Sequence, residues 1–248
     1  MSNAEDDQGL TTIAPLAPVS TRLGREGEQL LKIERLLSDP SPLIRAAAVA
    51  RYTPAYGPAG GYPGIRAPAP PAYVRAVALA LFPLIRDVFA LGDVRLGRAE
   101  ATLSLVTLPP DTLVPAQRVP HVDTHHPLQF AILHYLCGEE FGGTAFFRHR
   151  ATGFETLAPD RQDLFDTAQA DEQRGHPPEG YRVGSDRWFE EIGRVDAAFN
   201  RVAVYRSRLL HSGVIASPER LSADPARGRL TANIFLTLRQ NATAGGTS

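Results

Sequence analysis

From residue 94 onward the chain repeats one pattern, short runs rich in Val, Leu, Ile, Phe and Thr, each closed by a turn signal. The runs are VRLGRAEATLSLVTL, LQFAILHYL, GTAFFRH, RVAVYR, LLHSGVI and RLTANIFLTL. Runs of this length and spacing predict strands that pair antiparallel in a sandwich or barrel. Two segments interrupt them with helical signals, PDRQDLFDTAQADEQ and SDRWFEEIG, the second with Ser185 as its expected N-cap.

The N-terminal part reads differently. Residues 1 to about 25 lack periodicity and are expected to form a disordered tail. EQLLKIERLL is read as a strand leading into a turn. SDPSPLIRAAAVARY predicts a helix over about 42–52, with Ser41 as N-cap and Pro42 at the first helical position. TPAYGPAGGYPGIRAPAPP is too rich in Pro and Gly to be read as regular. It is either a linker or a loop folded over a site, to which Tyr56, Tyr62 and Arg66 are suited. PAYVRAVALALFPLIRDVFALGD predicts a long helix with a kink or break at Pro83. The expected organisation is therefore a tail followed by one domain over 26–248, supported by helices over about 40–92. It is α+β but mainly β.

Composition narrows the function classes. The net charge of −1 offers no basic stripe for a phosphate backbone, so nucleic acid is not an expected partner. No apolar run approaches the roughly 20 residues that span a bilayer, and the first ten residues are acidic and polar, so the expectation is a cytoplasmic protein with no membrane partner. The single cysteine, Cys137, excludes an internal disulfide framework and any cysteine-based zinc site. Lys32 is the only lysine among 26 basic residues. A buried cation that grips a carboxylate is therefore expected to be arginine.

Three of the seven histidines fall in PHVDTHH, residues 120–126. Non-haem iron needs two imidazoles and one carboxylate on one face, with the remaining positions open. His121 and Asp123 stand two apart, so on extended backbone they point to one side and can share an ion. Among the other histidines, His134 lies inside a strand, and His149 and His176 lie in or beside turns. His211 ends RSRLL and is followed at once by SGVI, with 87 residues between it and Asp123. That spacing suits a double-stranded β-helix, which brings its second and seventh strands side by side. GRLTANIFLTL follows His211, with Arg229 18 residues after it, and alternation puts Thr231 and Asn233 on one face. If this last strand runs next to the distal-histidine strand, Arg229 projects inward near the metal.

HVDTHH, HYLCGEEFGGTAFFRHRATGF, FNRVAVYRSRLLHSGVI and GRLTANIFL together resemble the 2-oxoglutarate- and Fe(II)-dependent dioxygenase superfamily, nearest to its prolyl-4-hydroxylase-like branch. With YPGIRAP, the resemblance is to the bacterial DUF6445 family, which has no assigned substrate. It covers about residues 28–240. It implies a double-stranded β-helix of the jelly-roll or cupin kind, with Fe(II) and 2-oxoglutarate as cofactors. Residue by residue it implies His121, Asp123 and His211 as catalytic iron ligands, and Arg229 as the anchor of the co-substrate. Tyr135 would hydrogen-bond the same carboxylate, beside Thr231 and Asn233, while Gly142, Gly143 and Phe146 are structural. The interval from His211 to Arg229 is longer than is usual in that superfamily.

Two other classes remain open at the level of sequence, a ligand-binding module on the same barrel and a cupin-type metalloenzyme that uses no 2-oxo acid. The partner expected is a small-molecule, amino-acid or peptide substrate, chosen by the loops 53–72 and 158–190. Oligomeric state is open, with a homodimer among the options.

Overall fold

The computed structural model describes residues 12–175 and 178–241. Two antiparallel sheets dominate it. Eleven strands follow one another along the chain: β1 (Pro18–Leu23), β2 (Glu28–Ile33), β3 (Thr53–Gly57), β4 (Gly60–Pro68), β5 (Val94–Val106), β6 (Gln129–Tyr135), β7 (Gly143–His149), β8 (Phe189–Asp196), β9 (Arg201–Arg206), β10 (His211–Val214) and β11 (Leu230–Gln240). Helices α1 (Ser41–Val49) and α2 (Pro71–Val88) precede β5, and α3 (Gln162–Gly175) lies between β7 and β8. The large sheet has the order β1-β2-β9-β6-β11-β5-β4-β3 and the small one β10-β7-β8. From β6 onward the chain crosses between them four times, after β6, β8, β9 and β10.

Strand alternation separates two chemistries. On β11, Leu230, Ala232, Ile234, Leu236 and Leu238 join the apolar layer that also holds Leu43 of α1 and Tyr73, Val77, Leu81 and Ile85 of α2. Residues 229, 231 and 233 consequently face the space between the sheets. The four α2 side chains recur at every fourth position and are fully buried. Each contributes about 1.5–3 kcal/mol of apolar burial. Pro83 sits on the exposed side of α2, and the helix runs through it without a break. The hydrogen bond it removes lies toward solvent, where water can substitute. A second cluster, including Tyr135, Phe146, Ala203 and Tyr205, fills part of the inter-sheet space. A third, with Phe147, Phe165 and Phe189, covers the outer face of the small sheet under α3.

Several sequence expectations need correction. Residues 18–23, expected within the tail, form β1 against β2, and residues 1–11 of that expectation lie outside those described. The Pro/Gly-rich segment is a hairpin, β3–β4, with a register shift between Pro54 and Tyr56. Pro54 is tolerated because β3 is an edge strand. Gly64 lets β4 seat on β5, since a Cβ there would lie 1.9 Å from the Leu105 carbonyl oxygen. SDRWFEEIG is not helical. Asp186 Oδ1 accepts from the amides of Trp188 and Phe189 at 2.8 and 2.7 Å, a local turn that competes with helix and leads into β8. Ser185 accepts from the Glu191 amide at 2.8 Å instead of capping a helix. In α1, Ser41 is already the first helical residue and Pro40 holds the cap position. His176 lies outside the described residues.

Candidate metal centre

His121 and His211 are joined by paired backbone hydrogen bonds, each amide donating to the other's carbonyl at 2.9 Å. This bridge lays residue 121 beside β10, at the edge of the small sheet. The Asp123 amide donates to the Ser207 carbonyl at 2.8 Å. The H-x-D stretch is thus held to the 207–211 segment from both ends, although it lies outside any named strand and ahead of β6.

One ligand atom from each of His121, Asp123 and His211 lies within 4.8 Å of the others. Nε2 of His121 is 3.9 Å from Asp123 Oδ1, and Nε2 of His211 is 3.6 Å from Asp123 Oδ2. Nδ1 of His211 lies 2.8 Å from the Leu209 carbonyl oxygen. A carbonyl only accepts, so Nδ1 carries the proton and Nε2 presents its lone pair toward Asp123. The ring packs edge-on against Tyr205, with centroids 4.9 Å apart.

Burial, and at His121 also the neighbouring His211, pushes both imidazoles down to about 4, so each is neutral at physiological pH. Desolvation carries less weight at His121, whose side chain keeps 54% of its surface, than at His211 with 7%. Burial pushes Asp123 up to about 6 against the pull of His121 and Arg66. Two uncharged imidazoles beside a carboxylate short of positive charge form a donor set that a divalent cation completes.

The cluster lines a cavity of about 720 Å³ between the sheets, within the range of small-molecule sites. Facing it are Arg229, Thr231 and Asn233 from the β11 segment, and Tyr62 and Arg66 from β4. A smaller hollow of about 480 Å³ outside α2 and β5 is lined by no histidine or acid.

The expected neighbour relation of the last strand is not what brings Arg229 here. β11 lies between β5 and β6 in the large sheet, whereas β10 pairs with β7 in the small one. Arg229 is 4% exposed and reaches across the gap. Its Nε donates to the Phe141 carbonyl at 3.2 Å and a terminal nitrogen to that of Gly143 at 2.7 Å. That turn needs glycine at 142, where φ is +88° and a Cβ would lie 2.1 Å from the Val214 carbonyl oxygen. The same terminal nitrogen of Arg229 would stand 4.0 Å from a Cβ on Gly213. Gly213 is two residues beyond His211, about 7 Å along the strand. No ion-pair partner meets Arg229 among the described residues.

Tyr135 does not line the cavity. It is fully buried, and its hydroxyl donates to Thr144 Oγ1 at 2.7 Å, so Thr144 is the group that faces the cavity. Thr231 Oγ1 and Asn233 Oδ1 do line it and make no hydrogen bond. His125 donates to the Leu157 carbonyl, and Arg206 and Arg208 share Glu28, so these stand outside the cluster. Cys137 is buried core, its thiol pushed up to about 11 by burial. Sequence reasoning assigned no role to Tyr181 or Tyr205 in the lining. It also read Tyr62 and Arg66 as loop residues, although alternation through YPGIR puts 62, 64 and 66 on one face.

A family model described as "Family of unknown function (DUF6445)" matches residues 15–236. No curated protein matches the chain. Among solved structures, similarity is found to the non-heme alpha ketoglutarate dependent epimerase SnoN from nogalamycin biosynthesis, at 14% identity and a TM-score of 0.49, covering 88% of this chain and 83% of that one. HygX from Streptomyces hygroscopicus, with nickel and 2-oxoglutarate bound, is similar at 15% identity and a TM-score of 0.42, covering 84% and 82%. The carbocyclase SnoK from nogalamycin biosynthesis is similar at 13% identity and 0.39, covering 88% and 87%. At these values the likeness assigns no activity to this chain.

Proposed function

We propose that this chain, which belongs to the DUF6445 family, is an oxygenase that holds iron(II) on His121, Asp123 and His211 and uses 2-oxoglutarate to oxidise a small-molecule, amino-acid or peptide substrate. The observation that carries this reading is one cavity with three convergent donors on one wall and an arginine without an ion-pair partner on the other. A chain that crosses between two facing sheets after β6, β8, β9 and β10 supports a double-stranded β-helix as the frame.

The residues fit both groups. Two neutral imidazoles and a carboxylate form a two-histidine, one-carboxylate face, which leaves other positions of an octahedral ion open. Arg229 keeps free guanidinium hydrogens beyond the two bonds that orient it, and the unpaired Thr231 hydroxyl stands beside it on the inner face. These groups would hold the far carboxylate of the 2-oxo acid. When bound, iron(II) and 2-oxoglutarate would supply the electrons that activate dioxygen, which is the oxidant for a substrate C–H bond. The chain's share is positional. Leu209 fixes the tautomer of His211, the Ser207 carbonyl holds Asp123, and Tyr135 braces Thr144. The apolar residues of the inter-sheet cluster limit water around the reacting groups.

Anaerobic titration of the protein with Fe(II) and 2-oxoglutarate tests the reading. A weak visible charge-transfer band that needs both components, and is lost in His211→Ala, is the expected result. A protein that binds Fe(II) but gives no band with 2-oxoglutarate would be a metalloprotein of another kind.

A further inference from the structure

Arg66 is an anomaly for a half-buried arginine. It lies on β4 in a row of directly opposed inner-facing residues, Arg66, Ser104, Thr231 and Tyr135, that crosses four adjacent strands. Its Nε is buried without a hydrogen-bond partner, and among the described residues no acid pairs with it. A half-buried cation with a dry, unpartnered N–H is costly unless something else meets it. One face of its guanidinium lies on the Tyr62 ring, 4.3 Å from the centroid. That stacking leaves the edges of the plane free, and the edges carry the N–H groups. Tyr62 contributes a second unsatisfied group, a buried hydroxyl that neighbours Thr231 without meeting it in hydrogen-bond geometry. The residue is at the metal end of the cavity, where its charge acts on both Asp123 and His121.

We infer that Arg66 is the anchor for a carboxylate of the primary substrate, which makes that substrate a small carboxylic acid. This rests on the proposed reaction, because the count of charges assumes it. With a divalent ion, Asp123 and two arginines in the cavity, a dianionic co-substrate on Arg229 leaves one positive charge unbalanced, and that charge is Arg66. Glu100 at the rim does not neutralise it, being paired with Arg98. A planar carboxylate meets the exposed edge of a stacked guanidinium through two parallel hydrogen bonds. Ala131, Leu133, Ile215 and Phe235 offer apolar contacts to the rest of the molecule, and Thr124, Gln129 and Ser212 offer polar ones.

The test loads the full chain with Zn(II), a redox-silent ion, and saturating 2-oxoglutarate. Benzoate, phenylacetate and hexanoate are titrated, each beside its primary amide. The readout is the Arg66 Nε–H signal in proton–nitrogen NMR spectra, identified by its absence from Arg66→Lys. At least one acid should move that signal and bind about tenfold or more tightly than its amide, as a charge-assisted pair requires. Arg66→Gln should abolish the preference and leave 2-oxoglutarate affinity within about threefold of wild type. The inference is overturned if no acid is preferred over its amide, or if the preference survives Arg66→Gln. It is overturned as well if Arg66→Gln abolishes 2-oxoglutarate binding, since Arg66 then serves the co-substrate. A wild-type protein that takes up neither Zn(II) nor 2-oxoglutarate, yet shows the acid-dependent shift, would refute the proposed reaction while upholding Arg66 as a carboxylate site.

Discussion

Asp123→Asn should stabilise the metal-free protein while removing its response to divalent cations. Burial raises the Asp123 pKa from 3.8 in the unfolded chain to about 6. Its favourable contribution is therefore present below 3.8 and lost as the pH rises through about 6. At pH 8 the carboxylate is charged in both states and carries the full desolvation cost. A rise of that size corresponds to about 3 kcal/mol. The side chain is 18% exposed and the cluster titrates as a unit, so about 1–3 kcal/mol is the working figure. For a chain of this length that is roughly 3–10 °C in melting temperature. Thermal melts in chelator at pH 8 and pH 5 should show the variant melting higher at pH 8, with the gap falling to about half at pH 5. Added Mn(II) should raise the melting temperature of wild type only. A variant that melts at or below wild type at pH 8 in chelator would refute the reasoning.

Arg229→Gln should weaken 2-oxoglutarate binding about tenfold or more in calorimetry while Mn(II) affinity is retained, since the residue faces the cavity and not the ion. Tyr135→Phe should change that affinity by less than about threefold, because its hydroxyl is spent on Thr144; a loss as large as that of Arg229→Gln would contradict the geometry. His134→Ala should cost about 2–5 kcal/mol in denaturant melts, because it opens a cavity, strands the Tyr73 hydroxyl 2.9 Å from the ring, and leaves Asn200 Oδ1 with the Leu37 amide as its remaining donor. Burial lowers His134 from 6.5 to about 4, so its stabilisation is present above 6.5 and is lost as the pH falls toward 4. The variant should lose stability over that window less steeply than wild type.

The strands after residue 94 are legible in the sequence because alternation and turn signals agree there. Leu230 to Leu238 bury every second side chain, as their pattern requires. The candidate metal ligands are legible for a similar reason: H-x-D fixes two groups on one side, and His211 is the histidine at a strand start. Sequence cannot supply the pairing that makes SDRWFEEIG a strand, because β8 owes its form to β7 and to a turn at Asp186. The β3–β4 hairpin is hidden by its Pro and Gly content, which an edge position and a close strand approach tolerate. Tyr62 and Arg66 are hidden with it. Tyr135 escapes the pattern because alternation gives the face a side chain takes, and the partner of a buried hydroxyl is a matter of tertiary contact.

The most direct measurement is a structure of the protein grown anaerobically with Mn(II) and an inert 2-oxoglutarate analogue. The expected result is one ion bound by His121, Asp123 and His211, with the analogue's far carboxylate on Arg229 and the Arg66 edge left free. An ion bound elsewhere, or the analogue seated away from Arg229, would contradict the proposed site.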